Sequence, residues 1–277
     1  MRRIVCQAAV SLVALLSGGA SEATELRVCA DPNNLPFSDQ DGTGFENKLA
    51  DLVAGELKKT LAYTWHAQRR GFVRETLKAE TCDVIMGVPT MLDMVEATKP
   101  YYRSQYVFLS RADEDLDVSS LTDPRLRKLR IGVHLIGDDG ANTPPAEALG
   151  REGITSNVEG YMIYGDYRDL APPAQLVRAV KDQDVQIAAV WGPLAGYFVK
   201  FSPVPLRLTP ITGTESFAPL IFAFDISMGV RHGDHALRAA LDDVIERRKA
   251  DIHTLLASYG VPQLPVSEQP RDHDDND

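Results

Sequence analysis

Two carboxylates, Asp31 and Glu46, stand close to segments rich in turn-forming residues in the N-terminal part of this 277-residue chain. Burial in a closing cleft raises a carboxylate pKa, which makes either one a candidate general acid or base. Neither has a recognisable catalytic partner in the sequence. There is no Gly-x-Ser-x-Gly nucleophile motif, no phosphate-cradling glycine loop and no Cys-x-x-Cys-His haem site. Gly137-Asp138-Asp139-Gly140 has the glycines of a dinucleotide loop, but its two carboxylates would repel a pyrophosphate. Asp39-Gln40-Asp41-Gly42 resembles part of a calcium loop, with its remaining ligands out of register. His232, Asp234 and His235 read as the cap and first turn of a helix rather than as a ligand set. The expectation is a binding protein that is not an enzyme and holds no metal or cofactor of its own.

The remaining chemistry is thiol chemistry, and the N-terminus decides how to read it. Arg2 and Arg3 precede an apolar run over 4–16, and Ser21-Glu22-Ala23 has the small residues of a signal peptidase site. That run is too short to span a bilayer permanently, and Cys6 lies too early in it for a lipid anchor. Residues 1–23 therefore read as a signal peptide, the destination as the periplasm, and no stable membrane anchor is expected. Export leaves Cys29 and Cys82, an even pair that reads as a disulfide in an oxidising compartment; two buried free thiols are the alternative. The bond would close a loop worth roughly 3–4 kcal/mol of unfolded-state entropy. Cleavage removes Arg2, Arg3 and Glu22, which takes the net charge from −10 to −11. So acidic a chain disfavours nucleic acid and favours a basic protein partner.

The elements that must position these groups alternate between β-like and helical runs, the pattern of an α/β protein with mainly parallel strands. Leu26-Arg27-Val28-Cys29-Ala30 reads as a strand, followed by a turn-rich loop over 31–37. Phe45, Leu49, Leu52, Val53 and Leu57 share one face of a helix over 45–59. Strands follow at 62–65, 84–88 and 106–110, with a short helix over 71–79. The pattern restarts at Leu129-Arg130-Ile131-Gly132-Val133, with a helix opened by Pro144 and Pro145, another over 174–181 and a strand over 185–191. A β run over 220–230 then reads as a return crossing, and one long helix precedes Gly260 and Pro262. This gives lobe 1 as 24–110 plus 220–264, lobe 2 as 111–219, and an acidic, solvated tail over 265–277. Two crossing segments form a hinge, and the cleft between the lobes is the natural site.

This architecture resembles the type II periplasmic binding proteins of solute-binding family 3. Cys29-Ala30-Asp31-Pro32-Asn33-Asn34-Leu35-Pro36-Phe37-Ser38, Gly44-Phe45-Glu46-Asn47 and Gln68-Arg69-Arg70-Gly71-Phe72 are similar to one subgroup. So are Cys82-Asp83-Val84-Ile85-Met86-Gly87-Val88-Pro89 and Pro100-Tyr101-Tyr102-Arg103-Ser104. The subgroup is the MxaJ/XoxJ family of periplasmic accessory proteins of PQQ-dependent methanol (alcohol) dehydrogenases. The resemblance implies a quinoprotein dehydrogenase as partner and a part in its assembly or activation.

The wider superfamily grips amino acids with an Arg before its Pro-Tyr and an Asp after a late strand of lobe 2. Here those places hold Asp93 or Met94, and Gly192. Without a fixed cation and anion, an amino acid's charges would be desolvated unpaired. What remains is rigid and apolar: Leu35, Phe37, Tyr101, Tyr102 and Trp191, stiffened by Pro32, Pro36, Pro89 and Pro193. Such aromatics suit a protein anchor or an apolar ligand, with ordinary core packing the alternative for each. Asn33 and Asn34 offer hydrogen bonds, while Arg69 and Arg70 face a partner or pair with Asp31 or Glu46. These residues with Pro89 form the expected cleft and partner surface. A receptor for a small ligand other than an amino acid is the alternative function.

Overall fold

The computed structural model describes residues 25–136, 142–163 and 171–266. The expected signal segment 1–23, the 137–140 loop and the acidic residues 272–277 lie outside the described residues. The described part opens with β1 (Glu25–Ala30), the two-residue strands β2 (Asn33–Asn34) and β3 (Ser38–Asp39), and α1 (Phe45–Glu56). Then come β4 (Thr60–Trp65), the single turn α2 (Phe72–Glu75), β5 (Val84–Pro89) and the short β6 (Glu96–Ala97). β7 (Tyr102–Arg111) leads to β8 (Ile131–Leu135), α3 (Pro144–Arg151), β9 (Val158–Met162), α4 (Gln175–Lys181), β10 (Ile187–Trp191), α5 (Gly192–Phe201) and β11 (Leu206–Pro210). β12 (Ala223–Val230) returns the chain to α6 (His235–Arg247) and α7 (Lys249–Ser258).

The strands join in the order β4-β1-β5-β12-β7-β10-β8-β9, with β6 added to β12 and β11 to β7. Within each half the pairs β1·β4, β1·β5, β8·β10 and β8·β9 are parallel. At the join they are not. β12 runs antiparallel to β5 and β7, and β10 and β11 run antiparallel to β7. The expectation of mainly parallel strands thus fails at the centre. The outgoing strand β7 and the returning strand β12 traverse the same gap in opposite directions, so as neighbours they pair antiparallel.

β7 serves both halves. Its residues Tyr102 to Gln105 pair with β12, and Tyr106 to Ser110 pair with β10. Its side chains change company at the same point. Tyr102 packs with Leu26, Phe45, Leu49, Met86 and Leu256 in the first core, whereas Phe108 joins Ile131, Leu149 and Ile187 in another. Leu220 and Phe222 also belong to that second core, and Ile226 to the first. The exchange of cores therefore falls inside β7, before the expected boundary at residue 110. β7 and β12 are the two crossing segments.

α1 shows why the first core forms. Phe45, Leu49 and Val53 lie on one face at helical spacing and are fully buried, each worth about 1.5–3 kcal/mol relative to exposure. Gly44 is the N-cap of the helix, and a Cβ there would overlap the Phe37 carbonyl. The Asn47 side chain then accepts the backbone N–H groups of Gly44 and Asp39. The Cys29–Cys82 disulfide is present, with Cα atoms 5.4 Å apart, inside a satellite cluster with Phe72, Leu77 and Ile85.

The single long C-terminal helix expected from periodicity is two helices, broken at Arg248. No Gly or Pro causes the break. Glu56 of α1 accepts both Arg247 and Arg248, and neighbours on a straight helix point about 100° apart. The break between the helices falls at one of the two arginines that meet this carboxylate.

Candidate functional site

The site is a cavity of about 390 Å³ between the halves, walled on both sides of the β7–β12 ribbon. The end of β1 delivers Asp31, and the cis Leu35-Pro36 turn that follows delivers Asn33, Asn34 and Phe37. The first turn of α1 delivers Glu46, because its backbone N–H donates to the Phe37 carbonyl at 2.9 Å. Alternation along the central strands aims Tyr102, Tyr106, Phe224 and Ile226 into the same space. The second half adds His134 from β8, Thr143, Ile163, the Pro172 and Pro173 turn, Trp191 and Leu194.

Of the residues expected in the cleft, Asp31, Asn33, Asn34, Phe37, Glu46, Pro89, Tyr102 and Trp191 line the cavity. Leu35, Tyr101, Arg69 and Arg70 do not. Tyr101 precedes Tyr102, and successive strand side chains point to opposite faces; its hydroxyl donates to the Met86 carbonyl at 2.7 Å instead. Leu35 sits in a turn whose next apolar residue, Phe37, takes the inward place. Arg69 and Arg70 are exposed beyond Gln68, which is the residue of that loop lining the cavity. Sequence reasoning missed Gln68, Tyr106, His134 and Phe224. Strand alternation from Tyr102 would have found Tyr106, but nothing local marks the other three.

The polar groups are arranged unequally. Asp31 accepts the backbone N–H of Asn33 at 2.8 Å and of Gln68 at 2.6 Å. Asn34 donates to the Gln68 side chain at 3.0 Å. The Glu46 carboxyl group has no hydrogen bond or ion pair among the described residues, and burial, assisted by the charge of Asp31, pushes its pKa up to about 8. Its carboxylate sits over Gly87 of β5, where a Cβ would overlap Oε1. His134 places Nε2 3.0 Å from the Pro173 carbonyl oxygen. Burial pulls its pKa down to about 4, the carbonyl opposing in part, so the ring is neutral. No lysine or arginine is among the described lining residues.

Aromatic contacts fix the apolar wall. Trp191 meets Tyr106 at 5.4 Å and Phe224 at 5.8 Å between ring centroids, both edge-on. Phe37 lies 5.3 Å from Phe45. Desolvation raises the phenol pKa values of Tyr102 and Tyr106, which stay protonated. The arrangement can hold an apolar or aromatic body and offer it carboxyl and hydroxyl groups. No nucleophile–base pair is found among the described lining residues.

The two positions that grip amino acids in the superfamily are both empty of that chemistry. Asp93 and Met94 are exposed and away from the cavity. Gly192 is buried at the start of α5, where a Cβ would come within 2.6 Å of the Gln105 carbonyl oxygen. An aspartate there would need β7 to move. The acidic turn at Asp39 is structural, its carboxylate accepting the backbone N–H and hydroxyl of Thr43. Asp234 stands at the start of α6 without a side-chain cap bond, paired with Arg231 at 2.9 Å, and His235 meets Glu96 at 2.8 Å. Among the described residues no group of three His, Cys, Asp or Glu could hold a metal ion.

Comparison with known proteins agrees with this geometry. Residues 26–261 match the model for bacterial extracellular solute-binding proteins, family 3. The chain is 35% identical to a protein named MoxJ from Methylorubrum extorquens over 258 residues, covering 89% of this chain and 84% of that one. It is 38% identical to the crystal structure of the periplasmic binding protein XoxJ from Methylobacterium extorquens AM1, with a TM-score of 0.71, covering 86% and 99% of the two chains. The crystal structure of MxaJ from Methlophaga aminisulfidivorans MPT superposes with a TM-score of 0.73 at 26% identity, covering 86% and 100%.

Proposed function

This chain belongs to the bacterial extracellular solute-binding proteins of family 3, alongside MoxJ, MxaJ and XoxJ, and from that premise we propose that it is a non-catalytic periplasmic accessory protein of a PQQ-dependent methanol or alcohol dehydrogenase. The observation that carries this reading is the likeness to XoxJ across 99% of that protein's length. The cavity supports it. An amino acid's carboxylate would meet Asp31 and Glu46 and no described lysine or arginine, so ordinary amino-acid delivery is disfavoured. Rigid aromatics at the lobe junction suit a protein anchor, because little side-chain entropy is lost on docking. The protein assists assembly or activation by binding one state of the dehydrogenase in preference to another. No described helix is long and apolar enough to cross a membrane.

The test is calorimetry of the mature chain with the quinoprotein dehydrogenase of the same organism, first apo and then cofactor-loaded. Micromolar or tighter binding that differs between the two forms is the expected result. No binding to either form at low salt removes the accessory role.

A second reading, a receptor for a small ligand other than an amino acid, is favoured by the cavity's volume of about 390 Å³, within the range of small-molecule sites. It predicts ligand retained in freshly purified protein.

A further inference from the structure

Glu46 is the one carboxyl group of the cavity with no hydrogen bond or ion pair among the described residues, although Gly87 leaves it a fitted place. A polar group held this way without a partner faces a ligand or gives up stability. Tyr102 is 3% exposed, lines the same cavity, and its hydroxyl is likewise unpartnered among the described residues. Trp191, Tyr106 and Phe224 line the same cavity, with Trp191 edge-on to the other two rings.

We propose that the cavity binds a small organic ammonium ion that carries no carboxylate, its charge facing Glu46 and Asp31 and its apolar part against Trp191, Tyr102, Tyr106 and Phe224. Two neighbouring carboxyl groups favour a cation, aromatic faces attract one through their quadrupoles, and a carboxylate on the ligand would be repelled. This rests on the reading of the cavity as a binding site, and not on the partnership with a dehydrogenase.

Binding is linked to a proton. Free, Glu46 holds its proton up to a pKa of about 8 because it is buried beside Asp31. An incoming cation favours the ionised form, so the O–H bond of Glu46 breaks and the proton leaves to solvent. Among the described residues, the titratable groups coupled to Glu46 are Asp31 after β1, Tyr63 on β4, and Tyr101 and Tyr102 at the start of β7. β5 meets it with Gly87. The phenols have raised pKa values and do not titrate in the relevant range.

The experiment compares three probes of similar shape, 2-phenylethylammonium, 2-phenylethanol and phenylacetate, by Trp191-sensitive fluorescence and calorimetry on the mature chain. The ammonium should bind at least about tenfold more tightly than the alcohol, and phenylacetate should not bind. Its affinity should rise about tenfold per unit between pH 6 and 8, with proton release seen in buffers of different ionisation heat. Glu46→Gln should abolish the pH dependence of ammonium binding and the proton release that accompanies it. Equal or tighter binding of the alcohol overturns the charge assignment while leaving the cavity a binding site. Binding of phenylacetate, a pH-independent ammonium affinity, or no binding of any probe overturns the proposal outright. All of these are read on the unsubstituted protein, and the dehydrogenase titration is independent of them.

Discussion

The Asn33 side-chain oxygen accepts the backbone N–H of Ala171 at 3.0 Å, which ties the turn after β1 to the turn that opens the Pro172–Ala174 helix across the cavity. Asn33 sits in a short hairpin with Asp39, and its own N–H is held by Asp31. One side of the cavity thus presents a preset acceptor, and the other a backbone donor 138 residues away in sequence.

Asn33→Ala should loosen this closure. The variant leaves the Ala171 N–H without its acceptor, a loss of about 1–3 kcal/mol where the group stays buried. Small-angle scattering should show a larger radius of gyration, with Trp191 emission shifted to the red. Unchanged scattering and emission would mean that the bond does not hold the lobes together.

Glu46 makes stability depend on pH in a direction opposite to most carboxylates. Its folded pKa is raised from 4.5 to about 8, so the folded state keeps a proton that the unfolded chain has lost. The stabilisation is complete below about pH 4.5 and disappears as pH rises through about 8. Relative to Glu46→Gln, the unsubstituted protein should therefore lose on the order of 3–5 kcal/mol between pH 4.5 and 9. Urea unfolding of both proteins at several pH values checks this, and parallel curves would contradict the buried, unpaired carboxyl group.

Reduction of Cys29–Cys82 should destabilise the protein without erasing its sheet. The cysteines are 53 residues apart, and loop entropy for that separation gives about 4 kcal/mol. The cystine is buried with Phe72, Leu77 and Ile85, so the double variant Cys29→Ala, Cys82→Ala also leaves a cavity. Guanidinium unfolding with and without reductant should show the shift in the native chain and none in the variant.

Trp191→Ala removes the ring that bridges Tyr106 and Phe224. If the cavity and its rim meet the dehydrogenase, the affinity should fall about tenfold or more, while circular dichroism stays native. A second variant that shortens the 33–37 turn should act in the same direction. Complex formation unchanged in both would move the contact away from the cleft.

Gly196→Ala tests how the two halves meet behind the cavity. A Cβ at Gly196 of α5 would overlap the Gly260 carbonyl oxygen just beyond α7. Tyr197 stacks on Tyr259 at 5.8 Å, and Lys200 donates to the Ala257 and Ser258 carbonyls there. The methyl group should cost about 1–3 kcal/mol, measured as a lower denaturation midpoint. Gly55→Ala, with nothing within 4 Å of the added carbon, should show no such loss.

The features legible in the sequence were those with a local signature. The Phe45, Leu49 and Val53 stripe, the apolar strands, and turn residues between them determine α1, β1, β5, β8 and β10, because each is a periodicity of a few residues. The Cys29 and Cys82 pairing followed from their even number once the N-terminal run is read as an export signal. Uncommon strings in order around Asp31, Glu46 and Gly87 marked the family.

Tertiary structure decided what depends on elements distant in sequence. The antiparallel join of β7 to β12 arises from where the chain must return, and the break at Arg248 coincides with its ion pair to Glu56 of α1, neither of them a matter of propensity. Tyr102 faces the cavity and Tyr101 does not, because register relative to β12 sets which strand face is inward. His134 and Phe224 reach the cavity from β8 and β12, and Glu46 owes its raised pKa to burial, with the charge of Asp31 adding to it. A residue's period can be read from its neighbours along the chain; its solvation is set by whatever the fold brings across from it.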